Sequence, residues 1–314
     1  MAEKVKIGRA PERQAEAEID VSKIVPINRR SWRDKLRAYT KKPFSMAAML
    51  LVLLAAVITA LVVFWIILYT LVQGIPHIDA DMFSWTWTKE NQSIMPALIN
   101  TLVVAALSLA IAVPIGVFAA IFMAEYAKST NVFVKIVRMA AETLSGIPSI
   151  VYGIFGNILF VGILFGYSLL SGILTMSIMM LPLIMRTTEE ALLAVPQSFR
   201  EGSYALGAGK LRTIFVIILP SAMSGIISGV ILALGRVIGE TAALIYSAGS
   251  PINVKHPSGL MDSGCTLSVF LYSLMSEGLH VGEAWATAVV LIVLVVIING
   301  AAEFVGNKLK KEYN

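Results

Sequence analysis

The 314-residue chain has one cysteine, Cys265, and three histidines. A single thiol excludes an internal disulfide, and three scattered imidazoles leave little for a metal site. Charge is also scarce. Asp, Glu, Lys and Arg make up 14% of the residues, where a soluble domain carries about 25%. With 57% hydrophobic residues and a mean hydropathy of +0.79, that shortage argues against a soluble fold. The net charge of +5 does not build a basic face, because 12 of the 25 basic residues lie between Lys4 and Lys42. A nucleic-acid binder is therefore disfavoured. No cofactor motif is present. What remains is a membrane protein.

A helix needs about 20 apolar residues to cross the hydrocarbon core, and six stretches qualify. Residues 44–72 carry no charge, and residues 95–123 follow, with Pro114 as an expected kink. Residues 133–165 exceed one crossing and are interrupted at Ser145-Gly146-Ile147-Pro148-Ser149. Glycine and proline together bend or unwind a helix, so this span is predicted to break near 146–148. Residues 168–185 (with Pro182), 211–248 (with Pro220) and 285–304 complete the set. The expected fold is all-α and polytopic, with polar tails over 1–43 and 307–314 flanking a transmembrane domain over 44–306. The N-terminal tail is too long, and too far upstream of the apolar run, for a cleavable signal peptide.

Loop charges test the count of six. Cytoplasmic loops are enriched in Lys and Arg. With both termini cytoplasmic, the inside segments hold 22 of the 25 basic residues, and the outside loops only Lys89 and Lys255. Trp85 and Trp87 beside a membrane entry read as an interfacial belt. The outside loop over 249–283 is turn-rich, with an apolar stretch at Leu267 to Leu274 that fits either the membrane surface or a partner.

The loop between the fourth and fifth spans has the most specific pattern. Residues 197–206 predict a short amphipathic helix that Gly207 and Gly209 terminate. A helix projecting from a membrane domain suits a groove in a cytoplasmic partner. Glu201-Gly202-Ser203, Gly207, Ile217, Leu219 and Pro220 stand at the offsets of the E-A-A, three residues, Gly, nine residues, Ile, one residue, Leu-Pro signature of ABC-importer permeases. The chain resembles that family, with Gly202 and Ser203 in place of two alanines. Gly209-Lys210 does not complete a phosphate loop, because Tyr204 and Leu211 occupy positions that need Gly and Ser or Thr.

Other stretches resemble the A-type permeases of phosphate importers within that family. They are Ala124-Glu125-Tyr126, Ile147-Pro148-Ser149-Ile150-Val151, Arg186-Thr187-Thr188-Glu189, Tyr204-Ala205-Leu206-Gly207 and Arg236-Val237-Ile238-Gly239-Glu240-Thr241-Ala242. The resemblance implies the type I importer architecture and a subunit that is no enzyme. It implies a second, C-type permease and two ATP-hydrolysing subunits that dock on the 197–209 loop through Arg200, Glu201, Tyr204 and Gly207. It also implies an extracytoplasmic phosphate-binding protein. Lipid surrounds the whole assembly.

Ionisable residues inside a span cost about 2.5–3.5 kcal/mol on insertion scales and need a reason. Arg236 and Glu240 stand four apart in the fifth span, a spacing that allows them to pair on one helical face. Small residues that include Gly225, Gly229, Gly235 and Gly239 form a stripe suited to close helix contact. Arg236, held by Glu240, reads as lining an anion pathway, since a guanidinium fork bonds two phosphate oxygens at once. A structural ion pair is the plainer alternative. Ser149, at the head of the half-helix after Pro148, and Arg186, at the inner mouth, join the candidate pathway. A packing kink explains the break equally well. The four methionines of the fourth span read as packing. Rival readings are a permease for molybdate, sulfate or another solute, and an ATP-independent secondary transporter, which would show inverted repeats and no docking loop.

Overall fold

The computed structural model describes residues 43–127, 131–249 and 259–313. Residues 1–42 of the expected N-terminal tail, together with Lys128, Lys255 and His256, lie outside the described residues. Among the described residues every regular element is helical. The chain divides into an N-terminal unit ending at Trp65 and a main unit from Ile66 onwards.

The first helix, α1 (Pro43–Gly74), starts in the N-terminal unit. There Leu50, Leu51, Val52, Leu53 and Leu54 are all exposed, five consecutive residues that point all round the helix, as suits a helix solvated by hydrocarbon.

The main unit continues with α2 (Met95–Ile121), extended by a wider π turn over Phe122–Tyr126. Next come α3 (Val132–Ser145) and α4 (Ser149–Gly156), the latter extended by a π turn over Asn157–Phe165. These two segments meet at 104°, so the Gly146-Pro148 interruption is a sharp bend. Helix α5 (Leu169–Leu193) is capped by Ser168, whose Oγ accepts from Ser171 N at 3.2 Å. Then follow α6 (Gln197–Ala205), α7 (Lys210–Thr213) and α8 (Leu219–Gly239), with a π turn over Ile214–Ile218 between the last two. Pro220 has no N–H to return to the preceding turn, and the helix widens there. Short α9 (Ala242–Ser247), α10 (Leu267–Glu277) and long α11 (Val281–Tyr313) complete the chain. Five helices are long and apolar enough to cross a membrane, and the bent α3–α4 pair makes six.

Helix α5 is the centre of the bundle: 61% of its apolar window is buried, against 6% for α11. Ile173, Met176, Met180 and Ile184 pack with Val104 and Ala112 of α2, Val237 and Ile238 of α8, and Leu244 of α9. Met176, Met179 and Met180 are all buried, so the unbranched thioethers do fill the core. Helix α8 comes close to α5 through two glycines. A Cβ on Gly225 would stand 2.6 Å from the Ala191 Cβ, and one on Gly229 would overlap the Thr187 side chain. A Cβ on Gly235 would stand 3.5 Å from the Asn299 side chain, an ordinary contact, and one on Gly239, the last residue of α8, would meet nothing within 4 Å.

Three sequence expectations need correction. The fifth span does not run unbroken to residue 248. Glu240 leaves the helix with φ −73° and ψ 129°, and its carboxylate accepts from Ala243 N at 3.2 Å, opening α9. A carboxylate satisfies amides left free at a helix start, and that contact competes with continuing the helix. The fourth span also extends beyond 185, to Leu193. Finally, the apolar stretch at 267–274 neither lies on a surface nor waits for a partner. Leu267, Val269, Phe270 and Leu274 are buried, and Leu267 N donates to Thr101 Oγ1 at 2.8 Å. Asn100 Nδ2 donates to the Cys265 carbonyl at 3.0 Å, which seats that thiol in the interior. Burial pushes its pKa up to about 12.

Candidate functional site

The loop helix α6 ends as its sequence dictates. Gly207 adopts φ +81°, a left-handed conformation open to glycine at no steric cost. Gly207 N donates to Tyr204 O at 2.9 Å and Ala208 N to Ser203 O at 3.1 Å, the paired bonds of a Schellman motif. Phe199, Glu201, Tyr204 and Leu206 are exposed, Leu206 at 91%. Arg200 and Ser203, three apart and hence on one face, turn to the bundle.

Arg200 is held on all sides. Its Nη2 donates to Glu125 Oε1 at 2.6 Å and to Leu192 O at 2.9 Å, its Nη1 to Val195 O at 2.9 Å, and its Nε to Glu125 Oε1 at 3.1 Å. The two side chains are only 12% and 5% exposed. Leu192 and Val195 carry carbonyls at the end of α5, where a helix leaves acceptors unsatisfied, so the guanidinium also caps that end. Two more contacts fix the loop. Ser203 Oγ and Thr213 Oγ1 are 2.8 Å apart, and Lys210 Nζ lies 4.5 Å from the Tyr126 ring centroid. Sequence reasoning missed these pairings. Its one signal was the Ala124-Glu125-Tyr126 stretch, which supplies both Glu125 and Tyr126.

Arg186 bonds Glu190 one turn on, Nε to Oε1 at 3.0 Å, and both side chains are more than half exposed. It borders a cleft of about 160 Å³ with Arg138, Glu142, Glu189 and Glu190, between α3 and α5. Within it Arg138 Nε donates to Glu189 Oε1 at 2.7 Å, a link that sequence gave no reason to expect.

Arg236 differs from both. The expected pairing with Glu240 does not form, because the helix ends at Gly239 and Glu240 turns its carboxylate to α9. Among the described residues Arg236 makes no ion pair, and it is exposed. The Tyr152 hydroxyl donates to Leu144 O at 2.9 Å, across the bend before α4. Ser149, half-buried, opens α4 two turns of chain away from the Asn157 side chain, whose Nδ2 donates to Tyr246 O at 2.8 Å. Thus the bend and the α8–α9 break are joined through α4 and α9, where Gly153 lets the backbones approach: its Cβ would lie 2.9 Å from the Ala243 Cα.

Ser221, Ser224, Ser228, Leu232, Arg236 and Gly239 are all exposed and fall within about 120° of one another around α8. Five of the six are polar or lack a large side chain. Ser221 Oγ and Ser228 Oγ donate to the carbonyls of Ile217 and Ser224, at 2.6 and 2.8 Å, which leaves Arg236 as the charged group on this face. Among the described residues no group of three or more His, Cys, Asp or Glu could hold a metal ion.

The described residues thus form a helical bundle with a broken span, a projecting loop helix and, at Arg236, an intramembrane arginine without an ion pair among them. Residues 112–311 match the family of binding-protein-dependent transport system inner membrane components, and the chain belongs to it. It is 33% identical over 281 residues to the probable ABC transporter permease protein YqgI of Bacillus subtilis, covering 83% of this chain and 94% of that one. It is 30% identical over 268 residues to the phosphate transport system permease protein PstA of Haemophilus influenzae, covering 84% and 94%. A chain of a bacterial ABC transporter that imports the acidic polysaccharide alginate has the same fold, with a TM-score of 0.64 at 18% identity over 87% of this chain and 99% of that one. The protein is a multi-pass membrane permease.

Proposed function

We propose that the chain is a permease subunit of an ATP-driven importer and that its cargo is inorganic phosphate. The observation that carries the cargo is Arg236, an exposed guanidinium that makes no ion pair among the described residues, on the face of α8 that carries Ser221, Ser224 and Ser228. A planar fork of donors matches an oxyanion, and an arginine with no carboxylate partner keeps its donors for it. The likeness to PstA proteins points to phosphate among oxyanions. Ser149 and Arg186 belong to the same pathway, Arg186 at its inner mouth.

The α8 face is then covered by a second, C-type permease (PstC-like), so that the pathway runs between two subunits. Both termini and α6 lie on the cytoplasmic side, where most basic loop residues are. Two ATPase subunits (PstB-like) hydrolyse ATP and dock on the exposed Glu201, Tyr204 and Gly207 side of α6. A phosphate-binding protein (PstS-like) delivers cargo outside. Closure of the ATPase pair on ATP shifts α6, and the spans swing from inward-open to outward-open. Arg236 then meets the arriving anion without a fixed countercharge, and the return swing exposes it to cytoplasmic water, which releases the anion.

Uptake of labelled phosphate by phosphate-starved cells that lack the chain tests this reading. The expected result is that the wild-type chain restores uptake and that unlabelled phosphate, not molybdate or sulfate, competes it away. Competition by molybdate or sulfate would move the cargo to that anion. No restored uptake, with the chain still purifying with an ATPase, would keep the importer and remove phosphate.

A further inference from the structure

We propose that Arg200 and Glu125 are the joint that makes α6 move as one body with the ends of α2 and α5, so that Arg200 serves the bundle and not the ATPase. This rests on the coupling role given to α6 above. Helix α6 has nine residues, and most of them are exposed. A load on it reaches the membrane only through the few groups that tie it down.

Those groups converge on two elements. The Arg200 guanidinium bonds the Glu125 carboxylate, at the end of α2, and the carbonyls of Leu192 and Val195, at the end of α5. The Lys210 ammonium sits over the Tyr126 ring, next to Glu125. One residue pair on the α2 end thus faces both sides of the loop. Arg200 has its Nε, Nη1 and Nη2 all donating within the chain, which leaves little of it for a partner protein. The pair is also nearly dry, at 12% and 5% exposure. Water does not compete for it, and a separated buried charge is costly, so the joint resists opening under load. Helices α2 and α5 are the most deeply packed of the spans. A push delivered to their ends moves the core, whereas a push on α11 would move an outer helix. Arg200 and Glu125 are positioning residues for transport.

The test uses the full complex with its ATPase subunits, carrying spin labels on cysteines placed at Ala205 in α6 and Phe118 in α2. Both sites are exposed, and native Cys265 is buried, so the labels go where they are placed. In the wild-type background the distance between labels is expected to be the same before and after trapping with ATP and vanadate. In a Glu125→Gln background the trapped state is expected to show a second, longer distance, and the ratio of anion moved to ATP hydrolysed falls about tenfold. A wild-type distance that changes on trapping would overturn the joint. So would Glu125→Gln that keeps one distance in both states. If Glu125→Gln does not reach the membrane, Arg200→Lys, which keeps the charge but loses the fork that reaches Glu125, Leu192 O and Val195 O together, is read in the same way. These distances do not depend on the cargo, so failure of the phosphate reading leaves the joint standing. Failure of the ATPase to associate with the wild-type chain would overturn the coupling role itself.

Discussion

Arg200 and Arg236 sit in contrasting places and make opposite use of the same side chain. The first spends its donors on Glu125, Leu192 and Val195, and is 12% exposed. The second is exposed and makes no ion pair among the described residues. A satisfied guanidinium is part of the frame, whereas an unsatisfied one inside a membrane span requires an outside partner. Burial and partners, not residue type, distinguish the two arginines.

Removing the frame arginine should have the largest effect on the protein itself. Arg200→Ala strands the Glu125 carboxylate at 5% exposure, and breaking one side of a buried pair costs about 3–5 kcal/mol. The expected result is a clear drop in unfolding temperature in detergent and less chain in the membrane. An unchanged melting curve would erase the contrast. Arg236→Ala should do the reverse. Its melting curve stays in place while phosphate uptake falls about 100-fold, the equivalent of about 2.7 kcal/mol for a lost charge-assisted contact. Arg236→Lys keeps the charge but not the fork, and should recover only part of the uptake.

The glycines of α8 sharpen the comparison along one helix. Gly229→Ala forces a Cβ into Thr187 and should cost about 1–3 kcal/mol, while Gly239→Ala meets open space and should leave the melting curve unmoved. Equal effects at the two sites would mean that α5 and α8 do not approach as described. In the loop, Gly207→Ala places a side chain at φ +81° and should cost about 1–2 kcal/mol through strain at the end of α6. The smallest effect is expected from pH. Because Cys265 titrates near 12, it stays a neutral buried thiol at pH 8, and maleimide should label it only after denaturation. Rapid labelling of the folded chain would show that the 264–267 segment leaves its seat on α2.

Much of this was legible in one dimension. Apolar length marked the crossing segments, and the Gly146-Pro148 interruption marked the 104° bend, because a missing N–H and a missing Cβ act locally. The loop helix and its stop at Gly207 were legible for the same reason. Glu240 was not. Its spacing from Arg236 fits a helical pair, and nothing nearby in sequence reveals that the amide of Ala243 competes for the carboxylate. The partners of Arg200 were also hidden, since Glu125 is 75 residues away and a loop arginine reads as solvated. Phe270 and Leu274 read as surface or docking residues because their apolar run is too short to cross a membrane, yet both are buried.

The sequence alone determined a membrane protein, its crossing segments, its broken span and its projecting loop helix. Hydrophobic length, turn residues and missing donors operate over a few residues and do not wait for tertiary contacts. Only the tertiary structure decided which arginine is bound and which is left open, where the fifth span stops, and that α10 belongs to the core. Arg200 and α10 are placed by groups far away in sequence, Glu125 and Thr101, which reach them only when the helices pack, whereas the end of α8 rests on the Glu240 carboxylate taking the Ala243 amide in place of Arg236.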